Sequence, residues 1–333
     1  MRWCWVLALL LPLLGGCDAC ARQGPVGHEH SGSSSEQPGV APQSASAAAA
    51  SSPSGAGPRS LAAQEHTWVY PESPAGPMHV VVSVPERSAA SARLPVLVAL
   101  HGRGEALKGP ARGARGWVDD YWMPRAISRL HHPPLTSSDL LGMADAARLT
   151  RINESLTRAP YRGLIVVCPY TPDIWAGNQP LSRAEPLTRF VVEELLPRVY
   201  REVAAVGTPE STGIDGVSLG GRAALLVGLN RPEAFGAVAA LQPAFSSADA
   251  PALAQLAKRA RERNPKLRIR LLTSLEDFYL VSTRHISRAL TEAAVPNQLD
   301  VVPGTHDYDF NRGPGVYEML LFHDRALRGE QPL

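Results

Sequence analysis

The chain has 333 residues, 44% of them hydrophobic and 19% charged, the balance of an ordinary globular protein with one large domain or two small ones. Its formal net charge of +2 gives no concentrated basic surface, which argues against nucleic acid as a partner. The densest basic run, Lys258-Arg259-Ala260-Arg261-Glu262-Arg263, is interrupted by acid and follows a helical pattern, so it reads as a solvated helix face.

In chain order, residues 1–16 read as a targeting signal. Arg2 supplies positive charge, and Trp3 to Leu14 is apolar apart from Pro12. That run is too short to span a membrane, which takes about 20 residues. It ends in Leu14-Gly15-Gly16-Cys17, which resembles a bacterial lipobox. The resemblance implies acylation of Cys17 and a protein tied to a membrane, facing the periplasm or cell exterior; a plain secretory peptide is the alternative. Residues 17–63 are dominated by Ser, Ala, Gly and Pro and read as a tether that cannot bury enough apolar surface to order itself. His28-Glu29-His30 inside it reads as solvated rather than metal-binding. Cys4, Cys17, Cys20 and Cys168 form no disulfide framework, and Cys168 reads as a small buried hydrophobe.

A globular domain is expected over residues 64–333, its periodic pattern starting near His66. Short apolar runs at Met78–Val84, Leu94–Leu100, Gly163–Pro169, Thr212–Asp215, Gly236–Leu241, Arg268–Thr273 and Gln298–Val302 read as strands. Helical spacing appears at Thr188–Val206, Gly221–Leu229, Ser282–Ala293 and Val316–Leu327. Continuous apolar strands alternating with helices predict an α/β fold with a mainly parallel sheet covered on both faces. About sixty residues separate the second and third of these strands, too many for a bare loop. Asp119–Leu130 and Asp139–Leu156 look helical, so a helical insertion is expected over about 105–160. Gly102, Trp117, Tyr121 and Trp122 are candidate pocket residues; the aromatics equally suit cementing the insertion to the core.

Gly216-Val217-Ser218-Leu219-Gly220-Gly221 follows a strand and opens a helix, the context of a nucleophile elbow. A serine on so tight a turn takes strained angles, and flanking glycines remove the clashes that would forbid it. An ordinary glycine turn is the alternative. A serine nucleophile needs oxyanion donors and a base. The Leu219 amide is one donor. His101-Gly102-Arg103-Gly104, directly after a strand, offers the other, with Arg103 NH favoured and His101 expected to position the loop. For the base, His306 follows a strand in Pro303-Gly304-Thr305-His306-Asp307-Tyr308, whereas His285 and His323 fall within helical patterns as surface or packing residues. The acid should follow the preceding strand, in Ser274-Leu275-Glu276-Asp277. Asp277 is favoured and Glu276 is the alternative; Asp307 and Asp309 are expected to fix the histidine loop.

With these residues in place the domain resembles the α/β-hydrolase superfamily, and within it the esterase branch that includes esterase D, feruloyl esterases and enterochelin esterases. The resemblance is carried by LPVLVALHG, GVSLGGRAAL, TSLEDFY and PGTHDY, pieces that run through most of the chain from His66 onward. It implies cleavage of carboxylic esters of small molecules through a Ser218-His306-Asp277 triad, without metal or cofactor. The insertion after Gly102 and the loop Thr171–Pro186 depart from the pattern, so no substrate is carried over. A serine peptidase or acyltransferase shares the same triad, and a non-catalytic binding domain is the reading from another class.

Overall fold

Eight strands form one sheet in the order β1-β2-β4-β3-β5-β6-β7-β8 in the computed structural model, which describes residues 63–86, 93–174 and 181–331. They are β1 Ala63–Tyr70, β2 Met78–Pro85, β3 Val96–Leu100, β4 Ile165–Pro169, β5 Thr212–Gly216, β6 Ala237–Leu241, β7 Arg268–Ser274 and β8 Gln298–Val302. β1 and β2 are antiparallel, β2 runs antiparallel to β4, and every later pairing is parallel. The helices are α1 Met123–Leu130, α2 Ala146–Arg158, α3 Leu196–Glu202, α4 Leu219–Asn230, α5 Ala250–Arg263, α6 Leu280–Glu292 and α7 Val316–Ala326, with shorter turns between them. All described residues belong to the compact unit Gly57–Leu333. The targeting signal, Cys17 and the tether lie outside the described residues. Among the described residues no helix is long and apolar enough to cross a membrane.

The reason for this architecture lies in the strand sequences. Every residue of β3, β4 and β6 is buried and apolar, so apolar side chains face both sides of the sheet and both faces need cover. Successive residues alternate between two cores, as strand geometry requires. Val96, Val98 and Leu100 join one cluster with α4 and α5; Leu97 and Ala99 join the other with α1 and α7. β1 has only Trp68 buried, and its weak apolar signal explains why the sequence suggests order near His66 without marking a strand. Pro95 delays the start of β3 to Val96, because it has no N–H to give the ladder.

The insertion differs from expectation in detail. The helix expected over Asp119–Leu130 is broken: a wide turn covers Gly116–Asp120, Trp122 has φ 57°, and α1 begins only at Met123. The helix expected over Asp139–Leu156 begins at Ala146, where the Asp145 side chain accepts the Arg148 N–H at 2.7 Å. Before it, Gly142 at φ 76° turns the chain, and Asp139 accepts hydrogen bonds from Thr136 and Arg129 instead of continuing a helix. The basic run Lys258–Arg263 lies on α5 with Lys258, Arg259 and Arg263 exposed, a solvated face as expected.

A ring of alternating charge ties α2 to the sheet and to α7. Arg148 Nε meets Glu318 Oε1 at 2.6 Å, and Arg270 Nη2 meets Glu318 Oε2 at 2.7 Å. Arg270 Nε meets Asp300 Oδ2 at 2.9 Å, and Arg148 Nη1 closes the ring on Asp300 Oδ1 at 3.6 Å. Burial works to raise the Glu318 pKa, but the charges of Arg270 and Arg148 outweigh it and hold the carboxyl below its usual range. Removing one member of such a buried group strands its partner's charge, at a cost of roughly 3–5 kcal/mol.

Candidate active site

The loops after β3, β5, β7 and β8 all leave the sheet at the carboxyl ends of parallel strands, where ligands gather in open α/β sheets. Ser218 stands at the end of the β5 loop with φ 56° and ψ −114°. Strain of this kind costs about 1–3 kcal/mol and persists only where surroundings enforce it. Here the Ser218 N–H donates to Leu241 O at 2.9 Å, and Ser218 O accepts from Ala244 N at 3.1 Å. The glycines of the elbow are sterically required. A Cβ on Gly216 would lie 2.5 Å from the Gly220 carbonyl, and one on Gly220 would lie 2.3 Å from Leu100 O.

Ser218, His306 and Asp277, distant in sequence, meet in one line. His306 Nε2 is 3.0 Å from Ser218 Oγ, and His306 Nδ1 is 2.8 Å from Asp277 Oδ1. The Asp277 side chain is fully buried. Its remaining capacity is filled by the Tyr279 N–H, donated to Oδ1 at 2.9 Å, and the Thr273 hydroxyl, donated to Oδ2 at 2.6 Å. A carboxylate held by three donors stays where the imidazole needs it and fixes the tautomer that leaves Nε2 free to accept the serine proton. Glu276, the alternative acid, is exposed, and its amide pairs with Gly304 O at 3.0 Å. Asp307 accepts the Phe310 N–H at 2.9 Å and also bonds the Thr305 hydroxyl, so it shapes the histidine loop. His285 is exposed. His323 is fully buried, with Nε2 3.1 Å from Asp215 Oδ2 behind the elbow.

The oxyanion candidates are the first residues of two helical segments, Leu219 of α4 and Arg103 of the turn Arg103–Ala106. First-turn amides have no acceptor within their own helix. His101 sets the direction of the Arg103 amide. Its Nδ1 lies 2.9 Å from Gly102 O, while Nε2 accepts the Thr171 N–H at 2.8 Å. Gly102 C=O and Arg103 N–H belong to one trans peptide and point opposite ways, so holding the carbonyl aims the N–H. Burial lowers the His101 pKa to about 4, which keeps the ring neutral, with one nitrogen to donate and one to accept. This is a loop-positioning histidine.

The pocket expectation needs correction for two aromatics. Trp117 and Tyr121 are fully buried, 4.9 Å apart edge to face, and offer no surface to a ligand. They cement the insertion to the core, because the turn Gly116–Asp120 faces inward. Gly102 is buried as well, with the Tyr121 hydroxyl packed against it. Trp122 is half-buried, and Arg125 and Arg312 flank its ring at 5.3 and 4.6 Å. The exposed aromatic nearest the triad is Phe278, 69% exposed, with its ring centre 4.2 Å from that of His306.

Sequence reasoning missed Gln242. It is fully buried at φ 45°, and its amide donates to Ser274 Oγ at 2.7 Å and to Thr305 O at 2.8 Å, joining the acid and histidine loops. The signal for it was a lone polar residue before proline at the end of the apolar run Ala237–Leu241.

The model of the "Putative esterase" family matches residues 142–310, a span that includes elbow, acid loop and histidine loop. A search of curated proteins finds no match. Among solved structures, a ferulic acid esterase superposes with a TM-score of 0.58 at 17% identity, covering 79% of this chain and 99% of its own. An S-formylglutathione hydrolase from Staphylococcus aureus gives 0.57 at 14%, covering 79% and 99%. A mutant of the feruloyl esterase module from Clostridium thermocellum, complexed with sinapinate, gives 0.56 at 15%, covering 79% and 89%. At these identities the structural likeness establishes the fold, and the family match establishes the rest: the chain belongs to the "Putative esterase" family, carboxylic ester hydrolases on the α/β-hydrolase fold.

Proposed function

We propose that the chain cleaves carboxylic esters of small molecules by two-step acyl transfer on Ser218, with His306 as base and acid and Asp277 as its orienting carboxylate. The observation that carries this reading is the continuous line of contacts from Asp277 Oδ1 through the imidazole to Ser218 Oγ, at 2.8 and 3.0 Å. Ser218 Oγ attacks the ester carbonyl as Nε2 takes its proton. The carbonyl oxygen gains negative charge and is held by the Arg103 and Leu219 amides, each such donor typically contributing about 3 kcal/mol in the transition state. Collapse expels the alcohol, which leaves with the proton from Nε2. Water, deprotonated by the same nitrogen, then attacks the acyl-serine, releases the acid and restores the serine hydroxyl. The test is labelling of the purified protein with a fluorophosphonate and location of the adduct by peptide mass spectrometry. Modification at Ser218 is expected; a protein left unlabelled, or labelled on another serine, refutes the assignment.

We further propose that the domain, residues 64–333, is held on a membrane by lipid on Cys17 and faces the periplasm or cell exterior. Support comes from the apolar run to Leu14 and the Leu14-Gly15-Gly16-Cys17 string. Cell fractionation tests it: Cys17→Ser should release the protein into the soluble fraction, and its retention with membranes would count against the anchor.

A further inference from the structure

One buried carboxylate near the triad has no part in the chemistry above. Glu105 lies in the turn Arg103–Ala106, and its side chain is 2% exposed. The Tyr121 hydroxyl donates to its Oε2, and the Tyr308 hydroxyl donates to its Oε1 at 2.6 Å. Lys108 Nζ stands 3.5 Å from Oε1. Tyr121 Oη in turn accepts the Gly102 N–H at 3.1 Å. Burial, and then the Glu105 charge, push the Tyr121 hydroxyl well above its ordinary pKa, so it stays a donor to the carboxylate. The packing around Glu105 is close: a Cβ on Gly116 would lie 2.7 Å from Glu105 Cγ, and one on Gly104 would lie 3.2 Å from Tyr308 Oη.

These contacts join two pieces of the site that share no strand pairing. Tyr121 reaches the peptide just before the one that carries the Arg103 amide. Tyr308 sits two residues after His306. Filling the same space with an apolar side chain would avoid the several kcal/mol that desolvating a carboxylate costs. What an apolar side chain cannot do is accept from two hydroxyls on two different loops at once.

We infer that Glu105 is a positioning residue for acyl transfer: through Tyr121 it fixes the Gly102–Arg103 segment, and through Tyr308 it holds the His306 loop in register with that segment. The inference rests on the serine-esterase reading. Glu105 touches no reacting atom. Its effect falls on the transition state, where donor and base must act together, and not on ground-state binding of the ester.

The experiment compares wild type, Glu105→Gln, Tyr121→Phe, Tyr308→Phe, the double phenylalanine variant and Ser218→Ala. Each is assayed in the full chain with p-nitrophenyl acetate, well below its melting temperature. Glu105→Gln is expected to lower kcat roughly tenfold to a hundredfold with KM unchanged, since small misplacements of catalytic groups have effects of that size. The double phenylalanine variant should match it. Affinity for a boronic acid that mimics the tetrahedral state should fall in step with kcat. A normal kcat in Glu105→Gln, with only the melting temperature reduced, overturns the inference. If Glu105→Gln fails to fold, each tyrosine variant loses a single hydroxyl and takes its place; normal kcat in both, and in their combination, overturns it equally. Ser218→Ala separates the two levels. Activity surviving in that variant defeats the serine-esterase reading itself. An inactive Ser218→Ala beside a full-speed Glu105→Gln defeats only the role given to Glu105.

Discussion

Ser218→Ala is expected to lower kcat for p-nitrophenyl acetate about 10⁶-fold while leaving the melting temperature close to that of wild type, by the scale seen when a serine nucleophile is removed from a triad. The reason for the size is that no neighbouring group replaces the hydroxyl. Without Ser218 Oγ, 3.0 Å from Nε2, the imidazole has only water to activate, and the covalent step is lost. The reason for the intact fold is local. The turn is held by backbone contacts from Ser218 N to Leu241 O and from Ala244 N to Ser218 O, neither of which uses the side chain. Alanine inherits the strained φ of 56° but adds no atom to the turn. Stopped-flow and long-time assays together cover the range. A loss smaller than about a hundredfold would mean that another group carries the nucleophilic step.

The second large effect is expected at the acid. Asp277→Ala should lower kcat about 10⁴-fold, because it removes both the orienting contact and the charge that stabilises the imidazolium. Asp277→Asn should do less harm than alanine. The donors around position 277 discriminate between the two ends of an amide: Oδ1 receives two N–H groups, from His306 and Tyr279, whereas Oδ2 faces the Thr273 hydroxyl, which can also accept. The amide oxygen therefore belongs on the histidine side, and the tautomer survives while the charge is lost. Glu276→Gln serves as the comparison and should turn over normally. Steady-state kinetics on the three variants check the order; an alanine variant as active as wild type, or a Glu276→Gln variant as impaired as Asp277→Ala, would move the acid elsewhere.

Much of this candidate site was legible in the sequence because each of its groups is announced by its backbone. Ser218 needs glycines at fixed spacing, since a Cβ at 216 or 220 would collide with main chain. Asp277 and His306 follow the apolar runs of β7 and β8, so strand ends alone narrow the choice. The sheet was legible for the same reason: β3, β4 and β6 are buried and apolar throughout, whereas β1, with one buried residue, gives little pattern. What sequence does not show is side-chain partnership across long separations. Glu105 looks like any acid in a glycine-rich loop until Tyr121 and Tyr308 are seen to meet it. Trp117 suits a pocket wall and a core plug equally well, and only its burial separates the two. The break before α2 hangs on Gly142 at positive φ and on Asp145 capping, local choices that apolar periodicity in Asp139–Leu156 overrides when read alone.

The charge ring of Arg148, Glu318, Arg270 and Asp300 limits how this enzyme can breathe. Swinging α2 outward would sever Arg148 from Glu318 and Asp300 and leave both carboxylates to share Arg270. The ring therefore ties this helix of the insertion to β7, β8 and α7. On the loop after β7, Leu275 and Phe278 stand in solvent, with the Phe278 ring beside the imidazole.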